Sequence, residues 1–144
     1  MSEQASKHFG KRLARQKQKK TRKNKVLIAN RGEIAIRIMQ ACQSLGLEFV
    51  CIYTSADADS GHCSLAREIE GEKKLYRVSS YLDANDIFAV ADAAQATAIH
   101  PGYGFFSEDF RFARRVKNRD RSLVFIGPSW RVINHLGDKI NTKR

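Results

Sequence analysis

The segment His100-Pro101-Gly102-Tyr103-Gly104-Phe105-Phe106-Ser107-Glu108 brackets one aromatic ring between two glycines. Glycine on either side permits backbone geometry denied to other residues, and Pro101 holds His100 extended. Following a strand and opening a helix, the segment is placed at the carboxyl edge of a sheet, where ligands bind in α/β folds. The same composition also suits a turn that packs Tyr103 into a core, and composition alone favours that reading. A second segment, Asn30-Arg31-Gly32-Glu33, lies in a first strand-to-helix turn, a place where helix N-termini bind phosphate. It lacks the G-x-G-x-x-G spacing that lets the backbone approach a diphosphate, which argues against a nicotinamide or flavin enzyme. Arg31 suits either an anion anchor or a structural ion pair with an acid. A third segment runs from Phe125-Ile126-Gly127-Pro128-Ser129 to Leu136-Gly137-Asp138-Lys139. By itself Lys139 reads as a solvated lysine at a helix end.

These residues need elements to position them. Lys25–Ala29 is a short apolar run that predicts a strand buried on both faces. Ile34, Ile38 and Ala41 then recur at helical spacing, with Gly46 as a C-cap candidate, and Phe49–Tyr53 is a second buried strand. That strand–helix–strand unit implies a parallel pair joined by a right-handed crossover. After a polar loop from Thr54 to Gly61 come a short helix from His62 to Glu68 and an extended segment Lys74–Val78. Asp83 is the expected N-cap of a helix through Gln95, and Ala96–His100 the next strand. Ser107 is expected to cap a helix with Glu108 and Asp109 in its first turn and Arg114, Arg115 and Lys117 near its end. Leu123–Ile126 reads as a further strand, with Pro128 in the first turn of a final helix toward Leu136. Strands alternating with helices predict an α/β fold with a Rossmann-like, doubly wound and mainly parallel sheet.

The 144 residues carry a net charge of +11, concentrated at one end. Residues 1–24 hold nine Lys or Arg against the single acid Glu3, whereas the remainder nets only +3. With little apolar beyond Phe9 and Leu13, residues 1–24 read as a disordered basic tail, either solvated or serving as an electrostatic arm for an acidic partner, nucleic acid or anionic lipid. Residues 25–144 read as one domain. Cys42, Cys51 and Cys63 form no C-x-x-C pair, and the apolar neighbours of Cys42 and Cys51 suggest buried free thiols of a reducing compartment. No apolar run approaches the roughly 20 residues of a membrane span, and no secretory signal opens the chain. The expected setting is cytoplasmic.

Taken together, the strings IANRGEIAIRI, SYLDANDI, AIHPGYGFFSED, FIGPS and GDK, in this order, closely resemble the N-terminal, pre-ATP-grasp domain of biotin carboxylases. These are the biotin- and ATP-dependent units of acetyl-CoA, propionyl-CoA and pyruvate carboxylases. The resemblance covers residues 25–144 and implies three binding residues: Lys139 on ATP phosphate, and Tyr103 and Gly104 near the biotin ring. An ammonium point charge suits phosphate, and a glycine-flanked aromatic suits the pocket of a flat ring. It implies no metal ligand and no catalytic residue here. Four positions depart from the family pattern: Phe106 for a common Leu, Asp109 for Asn, Arg67 for an acid and Gln40 for a frequent base. The last puts the family's usual homodimer contacts in doubt.

Carboxyphosphate chemistry needs phosphate clamps and divalent ions, Mg in the complete enzyme. By the resemblance, the glycine-rich lid, second lysine and metal-binding glutamates belong to the ATP-grasp domain and the segment after it, beyond residue 144. The expectation is therefore a chain inactive alone that works with the ATP-grasp and C-terminal parts and with the biotin carboxyl carrier protein. The alternative is a non-catalytic remnant or split-subunit binding module with a basic arm.

Overall fold

Lys25-Val-Leu-Ile is apolar on both alternating faces, and in the computed structural model, which describes residues 23–119 and 122–143, it forms the central strand of a five-stranded sheet. The chain runs β1 (Lys25–Ile28), α1 (Gly32–Ser44), β2 (Glu48–Tyr53), α2 (Gly61–Glu70), β3 (Leu75–Arg77) and α3 (Ala84–Ala94). It continues through β4 (Ala98–His100), α4 (Phe110–Arg119), β5 (Val124–Phe125) and α5 (Trp130–Thr142). The spatial order is β3-β2-β1-β4-β5, and every pairing is parallel. This is the doubly wound α/β sheet that the alternation of elements predicts. The reading of residues 1–22 as a disordered tail lies outside the described residues. Among the described residues no helix is long and apolar enough to cross a membrane.

Each face of the sheet has its own core. Val26, Ile28, Phe49 and Cys51 point to one face, against Ala35, Met39 and Cys42 of α1 and Ala66 of α2. Leu27, Val50, Ile52 and Ile99 point to the other, against Ile87 and Ala91 of α3 and Phe112 and Val116 of α4. This two-sided burial is why the strands read as continuous apolar runs rather than alternating ones. All three cysteines are buried and free. Desolvation raises the Cys51 thiol pKa to about 12, so it behaves as an apolar filler rather than a nucleophile.

Local signals decide the helix ends. Gly46, at φ +66°, follows the end of α1. The Leu47 amide donates to the Cys42 carbonyl at 2.9 Å and the Gly46 amide to the Gln43 carbonyl at 3.2 Å, a Schellman closure. Asp83 caps α3 by accepting from the Asp86 amide at 3.0 Å. Ser107 does not cap α4. Phe105–Glu108 forms a 3-10 turn that buries Phe106, whose ring stacks on Phe112 with centroids 4.1 Å apart. That turn displaces the helix start to Phe110, and Asp109 becomes the cap, accepting from the Arg111 and Phe112 amides at 2.9 and 3.2 Å. Pro128 likewise falls one residue ahead of the α5 cap, Ser129, and α5 runs past Leu136 to Thr142.

The departures at Phe106 and Asp109 are thus paired structural choices. Arg67 is absorbed locally, pairing with Glu72 at 2.5 Å and donating to the Ala58 carbonyl at 2.8 Å. Asp109→Ala is expected to lower the unfolding free energy by about 1 kcal/mol, and Ser107→Ala by less than about 0.5 kcal/mol, in denaturant titration.

Candidate functional site

The strand order places the reversal of winding between β1 and β4, since the chain moves outward from β1 to β3 and then returns to the other side of β1. Loops leaving adjacent strands at such a point diverge and open a crevice at the carboxyl edge. Here the two loops are Asn30–Gly32 after β1 and Pro101–Gly104 after β4, the two segments singled out from the sequence.

A single buried side chain joins them. The Asn30 carboxamide donates from Nδ2 to the carbonyls of Pro101 at 2.8 Å and Tyr103 at 2.9 Å, while its Oδ1 accepts from the Arg31 amide at 2.8 Å. Ala29 extends the ladder by donating to the His100 carbonyl at 2.9 Å. Gly102 sits at φ +65°, and a Cβ there would lie 2.7 Å from both Asn30 Nδ2 and Ile34 Cγ2. Glycine at 102 is therefore required both by backbone conformation and by the close approach of the clamp. Gly104 has φ +71° with open space around it, so only conformation constrains that position. The Gly102 amide donates to His100 Nδ1 at 3.0 Å, and burial pushes the His100 pKa down, keeping the ring neutral.

This clamp turns Tyr103 outward. Its ring is 78% exposed, and Phe106 occupies the core place that the residues alone favoured for Tyr103. The result is an aromatic flanked by two positive-φ glycines, presented to solvent at the rim of the crevice.

Arg31 is held by Asp57 in a forked ion pair, Nε–Oδ2 2.6 Å and Nη2–Oδ1 2.5 Å. Of its two open readings, the structural ion pair is the one realised. Tyr81 donates its hydroxyl to Asp57 Oδ2 at 2.6 Å, and its ring packs 5.5 Å from that of Phe105. The hydrogen bonds from Arg31 first, and from Tyr81 next, lower the Asp57 pKa to about 2. His62 completes this wall. Its Nε2–H donates to the Ile52 carbonyl at 3.0 Å, and its Nδ1 accepts from the Gly32 amide at 3.2 Å and from the Ser60 hydroxyl at 2.8 Å. Burial lowers its pKa, consistent with that neutral tautomer. Asp57, His62 and Tyr81 were not singled out from the sequence, and Asn30 only as part of its segment, without this role. Tyr81 stands in the SYLDANDI string, but nothing local signals bonds spanning 24 to 73 residues.

Lys139 sits apart from this crevice, in the third turn of α5. No hydrogen bond, ion pair or ring contact joins it to Tyr103 or Gly104 among the described residues. Ile133 anchors the first half of α5, whereas residues 135–143 are all exposed. Val132, Leu136 and Ile140 form an uncovered apolar row beside Lys139. Among the described residues no three His, Cys, Asp or Glu side chains are grouped to hold a metal ion.

Fold and crevice together define a doubly wound α/β domain with its ligand edge at a topological switch point. Residues 22–133 match the family described as biotin carboxylase, N-terminal domain, and the chain belongs to that family. It is 47% identical over 122 residues to biotin carboxylase 2 of Bacillus subtilis (strain 168), an alignment covering 83% of this chain and 27% of the relative. It is 41% identical over 120 residues to the mitochondrial propionyl-CoA carboxylase alpha chain of Mus musculus, covering 83% of this chain and 16% of that one. The biotin carboxylase domain of a thermophilic 2-oxoglutarate carboxylase bound to bicarbonate superposes with a TM-score of 0.73 at 40% identity, covering 84% of this chain and 27% of that one. The chain thus spans about a quarter of the length of these bacterial relatives.

Two outcomes follow. Gly102→Ala is expected to cost about 2 kcal/mol or more, from strain plus the clash with Asn30, and Gly104→Ala about 1 kcal/mol, both read by denaturant unfolding. Because the Asp57 pKa is depressed in the folded state, its stabilisation is complete above the ordinary carboxylate range near 4 and is lost as pH falls toward about 2. Acid unfolding of Asp57→Asn is expected to show a flatter pH dependence across that window, from a lower starting stability.

Proposed function

We propose that this chain is the N-terminal part of a biotin carboxylase, the component that carboxylates biotin with ATP and bicarbonate in a biotin-dependent acyl-CoA or pyruvate carboxylase. The observation that carries the reading is the Asn30 clamp, which fixes Tyr103 and Gly104 at the switch-point crevice of a domain of this family. Tyr103 offers a flat, exposed aromatic surface to the biotin ring, and Gly104 lets that ring come close to the backbone. Lys139 offers an exposed ammonium to an ATP phosphate.

In the reaction, bicarbonate attacks the γ-phosphorus of ATP to give carboxyphosphate and ADP; carboxyphosphate then breaks its C–O bond to give CO₂ and inorganic phosphate, the phosphate takes the ureido N–H proton, and the nitrogen bonds to CO₂. The described residues frame that chemistry without supplying its charge-neutralising parts. The divalent ions, Mg among them, and the phosphate lid require the ATP-grasp and C-terminal parts, and the biotin arrives on its carboxyl carrier protein. The uncovered row Val132, Leu136 and Ile140 beside Lys139 suits coverage by the ATP-grasp part. The carboxylase setting gives this domain no membrane step, in keeping with a cytoplasmic location.

Residues 1–144 by themselves are expected to show no bicarbonate-dependent ATP hydrolysis, measured as phosphate release with and without bicarbonate. Activity of the purified chain would overturn the reading of Lys139 as an isolated contact. In a complete enzyme carrying this domain, Lys139→Met is expected to raise the KM for ATP by tenfold or more, while Tyr103→Ala raises the KM for biotin and leaves that for ATP within about twofold. Unchanged KM values in both variants would favour the non-catalytic binding module.

A further inference from the structure

The helix that follows the β4 loop carries a different chemistry on its outer face. Helix α4 bears Arg111, Arg114, Arg115, Lys117 and Arg119 and no acid, five cations in ten residues. Phe112, Ala113 and Val116 bury the inner stripe, which leaves Arg111, Arg114, Arg115 and Asn118 on the solvent face with Lys117 and Arg119 on its flanks. Aromatic rings hold several guanidinium groups in place. Arg115 and Arg119 lie over Phe88 at 4.9 and 4.7 Å, and Arg114 and Arg131 lie over Trp130 at 5.0 and 5.1 Å. Among the described residues only Arg119 has an acidic partner there, Asp92 at 2.5 Å.

Two hollows meet at Asn118. One, of about 490 Å³, lies among Phe88, Arg114, Arg115 and Arg119; the other, of about 550 Å³, includes Lys117, Phe125, Gly127 and Trp130. The chain also enters the fold near the end of this helix. Lys25 Nζ donates to the Ala94 carbonyl at the end of α3, and Arg119 donates to the Phe88 carbonyl and Asp92 on the same helix. Residues 1–22, with eight bases and one acid, are therefore joined to the protein beside the last turn of α4.

We propose that the outer face of α4, with the Asn118 hollows, is a docking surface for single-stranded nucleic acid. A ten-residue helix is about 15 Å long, and five cations over that length, four of them without an acidic partner among the described residues, match the closely and regularly spaced phosphates of a strand. Arginine, at four of the five positions, fits phosphate with a planar fork, and a ring beneath it reduces the ordering cost of binding. The hollow walled by Phe125 and Trp130 accepts an unstacked base, which a duplex does not offer. The surface uses none of the residues of the Tyr103 crevice, so this inference stands or falls independently of the carboxylase reading.

The test titrates the full chain against a labelled single strand of mixed sequence, its duplex and polyglutamate, reading anisotropy together with the fluorescence of Trp130, the one tryptophan of the chain. Expected are saturable binding of the single strand with quenching of Trp130 and a log-affinity against log-salt slope of at least about −2. Arg111→Gln/Arg114→Gln/Arg115→Gln is expected to weaken binding at least tenfold and to flatten that slope by about 2. The same deficit should appear when residues 1–22 are deleted from both proteins. Should the triple variant lose its circular-dichroism signature, Arg111→Gln/Lys117→Gln supplies the comparison, with a smaller loss of about threefold. Absent binding, undiminished binding in the neutralised variants, or equal preference for duplex or polyglutamate would overturn the proposal.

Discussion

One buried carboxamide holds the ligand edge of this domain in shape. Asn30 spends both of its amide hydrogens on carbonyls of the loop after β4, which no other side chain nearby reaches in the same way. A buried polar group with its bonds satisfied orders its surroundings, and one left unsatisfied costs about 1–3 kcal/mol. The bonds therefore oblige Gly102 to be glycine, oblige the next ring to turn outward, and leave Phe106 to fill the core. The exposed Tyr103 and the buried Phe106 are two consequences of one clamp.

Around it, charge is organised so that the crevice wall is rigid but carries no free cation. Arg31 is bound in a fork to Asp57, Tyr81 donates to the same carboxylate, and His62 accepts from the Gly32 amide. The wall therefore orients loops rather than binding an anion. Free positive charge lies instead at Lys139, on the exposed half of α5, and along α4. One parallel sheet thus carries an aromatic-rimmed crevice at its carboxyl edge and, on a helix covering one face, an arginine surface.

Much of the architecture was legible because it rests on local patterns. Lys25–Ala29 and Phe49–Tyr53 announced themselves as two-face-buried strands, and Asp83 and Gly46 as helix ends, since each signal lies within a few residues of its effect. The failures share a different cause. Ser107 and Asp109 are both good caps two residues apart, and the choice between them was made by the ring of Phe112 receiving Phe106. Arg31 suited two roles until Asp57, 26 residues on, took it. Asn30 read only as part of a strand-to-helix turn because its partners lie more than 70 residues away. Tyr103 and Gly104 were found through strings resembling a family, not through any property that composition alone would favour.

The central claim is that residues 25–143 form a working N-terminal part of a biotin carboxylase, poised by the Asn30 clamp. The most direct measurement exchanges these residues for the corresponding segment of Bacillus subtilis biotin carboxylase 2, to which the chain is 47% identical. Biotin carboxylation by the hybrid is then compared with and without Asn30→Ala. The account predicts a hybrid that carboxylates biotin and loses at least tenfold in kcat/KM for biotin on Asn30→Ala, with the KM for ATP changed by less than about threefold. A folded hybrid with no activity, or one indifferent to Asn30→Ala, would contradict it.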